Sequence, residues 1–130
     1  MRRALITGIS GQDGRYLAER LVADGVEVHA LANPAEPPPR CPPSVQVHAG
    51  DLRATETLRQ VVHDVAPDEL YNLAAMSSVG SSWDESELTG MVNGVAAVGL
   101  MEAARQVQER TGNAVRFVQA SSAEIFGEPP

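Results

Sequence analysis

Three glycines, Gly8, Gly11 and Gly14, follow directly on a short apolar run, Ala4-Leu5-Ile6-Thr7. The run is too short for a helix, and the glycines behind it favour a buried strand. Beyond them Tyr16, Leu17, Leu21 and Val22 recur at helical spacing, and Gly25 stands where a helix of that length ends. A glycine triplet between a strand and a helix has a mechanical reading. One glycine makes the sharp turn, one lets the backbone approach a pyrophosphate, and one lets the helix pack closely on the sheet. The N–H groups at the helix start carry partial positive charge and suit an anion. The plainer alternative is a tight turn with no ligand.

The rest of the chain repeats the alternation of strand and helix. Val26-Glu27-Val28-His29-Ala30-Leu31 alternates with period two and reads as the second strand. Residues 33–43 hold six of the nine prolines, so they form an exposed connector. Val45 to Ala49 reads as the third strand, and Thr55 as the N-cap of a helix carrying Leu58, Val61, Val62 and Val65. Glu69 to Leu73 is the fourth strand, Ala74 to Ser82 a small-residue loop, about Asp84 to Val107 a long helix, and Val115 to Ala120 the fifth strand. This order predicts one α/β domain over residues 1–130, a doubly wound parallel sheet with helices on both faces. With the glycine turn it predicts a Rossmann-like strand order, 3-2-1-4-5, incomplete at its C-terminal edge.

Composition narrows the function classes. Seventeen acidic against ten basic residues give a formal net charge of −7. That excludes broad nucleic-acid binding and an anionic membrane surface as expected partners, but not one small anionic ligand held locally. The single cysteine, Cys41, precludes an internal disulfide and fits a cytoplasmic protein. Neither a signal peptide nor a membrane span is expected. His29, His48 and His63 lack metal-ligand spacing, so no metal is expected, and the first two read as structural.

Candidate cofactor-binding residues follow from the topology, since ligands of open α/β sheets lie at the strands' carboxyl ends. They are Gly8, Ile9, Ser10, Gly11, Gln12, Asp13 and Gly14 in the first turn, and Asp51 and Leu52 after the third strand. Leu73, Ala74, Ala75 and Ser77 complete the set around the end of the fourth strand. Asp51 could accept from an adenine amino group while Leu52 packs on the ring, or Asp51 could help cap the next helix. An acidic residue at the end of the second strand would favour NAD and an arginine NADP. The chain has Leu31-Ala32-Asn33-Pro34, with Glu36 and Arg40 farther on, which leaves the choice open. With no arginine directly behind that strand, NAD is expected to bind at least as well as NADP. Ser122 and Glu124, just past the fifth strand, would suit proton transfer beside a redox centre, or could be a turn former and a solvated carboxylate.

Gly8-Ile9-Ser10-Gly11-Gln12-Asp13-Gly14 with Tyr16-Leu17-Ala18-Glu19 resembles the GDP-mannose 4,6-dehydratase family, a branch of the extended short-chain dehydrogenases. Pro67 to Ala75 is similar to the family's fourth-strand signature, and Gln119 to Gly127 to its Gln-Ala-Ser-Thr-Ser-Glu-Leu-Tyr-Gly. The resemblance covers essentially the whole chain but only the first part of the family's length. It implies an internal redox reaction on a sugar nucleotide with NADP, or NAD. Hydride leaves C4 of the hexose, water is eliminated across C5 and C6, and hydride returns to C6. On this resemblance Glu124 would take the C5 proton and pass a proton to the departing C6 hydroxyl. Ser122 would assist proton movement at the C4 oxygen.

Several positions depart from the family pattern. Asn33 and Pro34 stand where the family has an arginine pair for the 2′-phosphate. Met76, Ser78 and Leu88 replace a glutamine, a histidine and a cofactor-contacting tyrosine, and no Tyr-x-x-x-Lys pair occurs in the 130 residues. A non-catalytic nucleotide-binding or subunit-interaction module, or a related epimerase or reductase, therefore remains an alternative. The strand at Phe117-Val118 and the nearly all-apolar helix from Met91 to Ala104 both call for cover. That cover would be the remainder of a longer protein or a second copy in a homo-oligomer.

Overall fold

The computed structural model describes residues 1–73 and 83–119, with side chains given for 1–73 and 92–119. Five strands form one parallel sheet: β1 (Arg3–Thr7), β2 (Glu27–Ala32), β3 (Gln46–Ala49), β4 (Glu69–Asn72) and β5 (Arg116–Gln119). Their order is β3-β2-β1-β4-β5, as expected. Three helices connect them: α1 (Gln12–Ala23), α2 (Thr55–Val65) and α3 (Trp83–Thr111). Order and direction place the crossing point at the carboxyl end of β1, where successive connections leave for opposite faces.

Each strand of the sheet centre contributes to two cores. Leu5, Leu31 and Leu70 point to the side covered by α2 and α3, where Leu58, Val62, Leu100, Ala103 and Val107 meet them. Ala4, Ile6, Val28 and Ala30 point to the other side, against Ala18 and Leu21 of α1. Burial on both faces is what a central parallel strand requires. Val28 through Leu31 are accordingly all buried, although their sequence alternates.

Local signals held in part. Gly25 follows the C-cap of α1 with φ +80°, as the sequence predicts. Thr55 is not an N-cap. It is the first helical residue of α2, and Ala54 occupies the cap position without a side-chain bond. Tyr16 does not belong to the buried face of α1, which runs Gly14-Ala18-Leu21, and is more than half exposed. Helix α1 begins at Gln12, inside the glycine motif, so Gly14 packs from its first turn. Helix α3 extends one turn beyond the expected end.

The two strand histidines form a polar chain on the α2 side. His29 Nε2 lies 2.9 Å from Glu27 Oε2, and His29 Nδ1 lies 2.9 Å from His48 Nε2. A carboxylate only accepts, so His29 Nε2 carries the proton, Nδ1 accepts, and His48 Nε2 donates. Burial, and then the neighbouring His29, hold His48 below its ordinary value, with Asp64 of α2 opposing. The bond from His29 holds Glu27 below the carboxylate range, with Arg3 assisting. Both groups are depressed in the folded state, so the unfolded chain binds protons first. Stability is therefore full above the ordinary histidine value of about 6.5 and falls as pH drops below it. The thermal midpoint should drop between pH 7.5 and 5.5, and the His48→Ala variant should show a shallower drop. Parallel curves would disprove the linkage.

Candidate functional site

A cleft of about 640 Å³ opens at the carboxyl ends of β1 to β4. Its floor is the turn after β1. Gly8 has φ +85°, a conformation that favours glycine. Gly11 donates its N–H to the Gly8 carbonyl at 3.1 Å, closing the turn. A Cβ on Gly14 would lie 2.1 Å from the Gly8 oxygen, so α1 approaches β1 only because Gly14 has none. No side chain caps α1, which leaves its first-turn N–H groups for a ligand or water. These observations fit a pyrophosphate laid across the turn.

The far wall comes from the loop after β3. Gly50 donates its N–H to the Ala32 carbonyl at 2.9 Å, and a Cβ there would lie 2.5 Å from Leu31 Cδ2. Glycine thus lets this loop press against the end of β2. Asp51 does not cap α2. Its Oδ1 accepts from the Arg53 backbone N–H at 2.9 Å, and its Oδ2 lies 3.0 Å from the Arg53 guanidinium. The Arg53 side chain, and then its backbone N–H, hold the Asp51 carboxyl below the usual carboxylate range. It is an ionised acceptor beside the cleft, the form needed to accept from an amino group.

The structure brings Gly8, Ile9, Ser10, Gly11, Asp51, Leu52 and Leu73 together around this cleft. Gln12 lines an adjoining cavity, Gly14 supports the turn from beneath, and Asp13 lies in the first turn of α1 lining neither. Ala74, Ala75, Ser77, Ser122 and Glu124 lie outside the described residues.

Sequence reasoning missed a polar ladder at the strand ends. Thr7 Oγ1 donates to Asn72 Oδ1 at 2.5 Å, and Asn72 Nδ2 donates to Gln119 Oε1 at 2.7 Å. The three are register partners at the last positions of β1, β4 and β5. The ladder ties together the last residues of three neighbouring strands. The available signal was a polar residue closing each of three short apolar strands. Among the described residues no cluster of three or more potential metal ligands occurs, and no helix is long and apolar enough to cross a membrane.

A family model described as GDP-mannose 4,6 dehydratase matches residues 5–130. The GDP-mannose 4,6-dehydratase of Yersinia enterocolitica is 38% identical over 141 aligned positions, covering 98% of this chain and 37% of the relative. Among solved structures, the Thermus thermophilus UDP-glucose 4-epimerase complex with NAD is 34% identical over 81% of this chain and 34% of its own, with a TM-score of 0.69. The Bordetella bronchiseptica enzyme WbmH in complex with NAD+ is 27% identical, covers all of this chain and 42% of its own, and has a TM-score of 0.77. The chain thus spans little more than a third of the curated relative's length. With the family model covering all but its first four residues, this chain belongs to the GDP-mannose 4,6-dehydratase family.

Proposed function

We propose that the chain is the dinucleotide-binding portion of a sugar-nucleotide 4,6-dehydratase acting on GDP-mannose, with NADP, or NAD, along the cleft. The observation that carries this reading is the Gly8–Gly14 turn at the floor of the cleft, in a chain matched by the family model. Gly8 to Gly11 and the start of α1 would hold the pyrophosphate by backbone N–H groups. Asp51 would accept from the adenine amino group, with Leu52 against the ring. Leu73, Ala74, Ala75 and Ser77 would border the nicotinamide side, where small side chains leave room. The nicotinamide, when bound, supplies the acceptor and donor of hydride. Glu124 would take the C5 proton and return a proton to the leaving C6 hydroxyl, and Ser122 would assist at the C4 oxygen. In this reading residues 1–130 form one dinucleotide-binding unit, and the sugar is held mainly by sequence matching the remainder of the relatives.

The test is titration of the chain with NADPH, followed by the cofactor's fluorescence. Saturable binding of one dinucleotide per chain is expected. A chain that binds no dinucleotide would overturn the reading and leave a subunit-interaction module.

Helix α3 supports the further proposal of a homo-oligomer. Ala96, Leu100, Ala103 and Val107 are buried on its inner side, while Val95, Val98 and Met101 are exposed on the other. Val98 is 66% exposed. A helix apolar on both sides is ordinarily covered on both. Val98→Glu should shift the sedimenting mass from dimer toward monomer. A monomeric wild-type chain would end this proposal.

A further inference from the structure

The wall of the cleft that follows β3 is a self-contained turn. The Ala54 N–H donates to the Asp51 carbonyl at 2.9 Å, which closes residues 51–54. Within it the Arg53 N–H donates to Asp51 Oδ1 at 2.9 Å, so the carboxylate is tied back to its own turn. Asp51, Leu52 and Arg53 all line the cleft. Leu31 and Leu58 line it with them, which gives this end an apolar surface for the flat face of a base.

A carboxylate offers about four acceptor sites, two on each oxygen. On Asp51 Oδ1, one is taken by the Arg53 backbone N–H, and Arg53 Nε approaches at 3.4 Å. On Oδ2, one is taken by the Arg53 guanidinium at 3.0 Å. A single site on Oδ2 is left for a further donor. The backbone bond anchors one oxygen but leaves the carboxylate free to turn, because the outer torsion of aspartate is broad and two-fold. The second point of attachment, from the guanidinium, fixes the plane and with it the direction of the remaining lone pair. The Asp51 side chain is 27% exposed and that of Arg53 66%. An ion pair so open to water adds little to stability. Its consequence is the orientation of an acceptor.

Resting on the dinucleotide reading of the cleft, we propose that Arg53 is a positioning residue for base recognition: its guanidinium holds Asp51 with one acceptor site available to the 6-amino group of adenine. A purine with oxygen at that place, such as hypoxanthine, sets an acceptor against a carboxylate and is disfavoured. Arg53 therefore acts through Asp51, by making discrimination between the two bases sharp. The two-point hold needs a planar fork, which lysine lacks.

The experiment is calorimetric titration of the 130-residue chain with NADP and with its hypoxanthine analogue, deamino-NADP, at one ionic strength. Wild type, Arg53→Gln, Arg53→Lys and Asp51→Asn are compared, with urea midpoints to check that each variant is folded. Wild type should bind NADP about tenfold tighter than the analogue, or about 1.4 kcal/mol, within reach of one hydrogen bond to a charged group. Both Arg53 variants should bring the two affinities within about threefold, chiefly by weakening NADP. Asp51→Asn should invert the preference. The Arg53 N–H keeps the amide oxygen at the Oδ1 position, so the amide nitrogen stands where Oδ2 was and donates to the oxygen of hypoxanthine. Arg53 variants that weaken both dinucleotides alike would make Arg53 a general cation or a stacking surface and overturn the proposal. Equal binding of the two by wild type would also overturn it. So would full discrimination in Arg53→Lys, which would assign the effect to charge alone. In each of these outcomes dinucleotide binding persists and the cleft reading stands. Binding of neither dinucleotide by wild type would remove both readings.

Discussion

Gly14→Ala is expected to abolish measurable dinucleotide binding and to destabilise the chain by about 1–3 kcal/mol. The new Cβ would stand 2.1 Å from the Gly8 oxygen, 2.8 Å from the Gly8 carbonyl carbon and 3.0 Å from Ile9 Cα. All three are backbone atoms of the turn, so none can rotate away. Either α1 lifts from β1 or the turn deforms, and both displace the N–H groups that would meet the phosphates. Alanine's advantage in a helix, about 1 kcal/mol over glycine, works in the opposite direction and is too small to prevent this. Gly11→Ala is the control. Its Cβ would meet only the Gly8 oxygen, at 3.5 Å, and its φ of −79° is open to any residue. That variant should keep wild-type stability within about 0.5 kcal/mol. Urea unfolding together with NADP titration separates the two. A Gly14→Ala chain with an unchanged midpoint and normal binding would show that the close approach is not required.

The second large effect concerns turnover. The 130-residue chain is expected to form no 4-keto-6-deoxy product from GDP-mannose with either cofactor. Hydride leaves C4 readily only as the C4 hydroxyl gives up its proton, and the family's base for that proton is the tyrosine of a Tyr-x-x-x-Lys pair. Neither tyrosine here can substitute. Tyr16 is exposed on α1. Tyr71 donates its hydroxyl hydrogen to Glu69 Oε2, and burial followed by that carboxylate pushes it up to about 12. A base working near neutrality needs the opposite shift. No lysine occurs in these residues to supply it, since all ten basic side chains are arginines. Loss of a positioned base alone typically costs about 10²–10⁴ in rate. Product formation at the rate of an intact dehydratase would place the base within these residues and refute the assignment of roles to Ser122 and Glu124.

The fold was legible because its signals are local and repeated. Five short apolar runs, each followed by turn chemistry, marked the strands. The glycine triplet then identified which strand lies at the centre. Misreadings arose where tertiary contacts outweigh local preference. Thr55 has the chemistry of a cap, but the Asp51–Arg53 turn sets the entry to α2 one residue earlier. Tyr16 fits the helical period, yet the close approach at Gly14 rotates α1 so that Ala18 and Leu21 face the sheet. The lining of the candidate cleft was legible where short segments leave the strand ends, at Gly8 to Gly11 and at Asp51 and Leu52. It was hidden where it depends on residues brought together over distance. Thr7, Asn72 and Gln119 become a ladder only through strand register.

The proline connector affects how a ligand is received. Pro37, Pro38 and Pro39 form one wall of a cavity of about 520 Å³ that adjoins the cleft at Ser10, Gly11 and Glu36. Proline rings fix φ near −65°, so this wall has few conformations even in the unfolded chain. A flexible loop of equal length would lose freedom when a ligand ordered it, at about 1–2 kcal/mol per residue fixed. Here most of that ordering is built into the covalent structure. The connector thus behaves as a rigid arm rather than a closing flap. Nucleotide entry then need not wait on rearrangement of this segment.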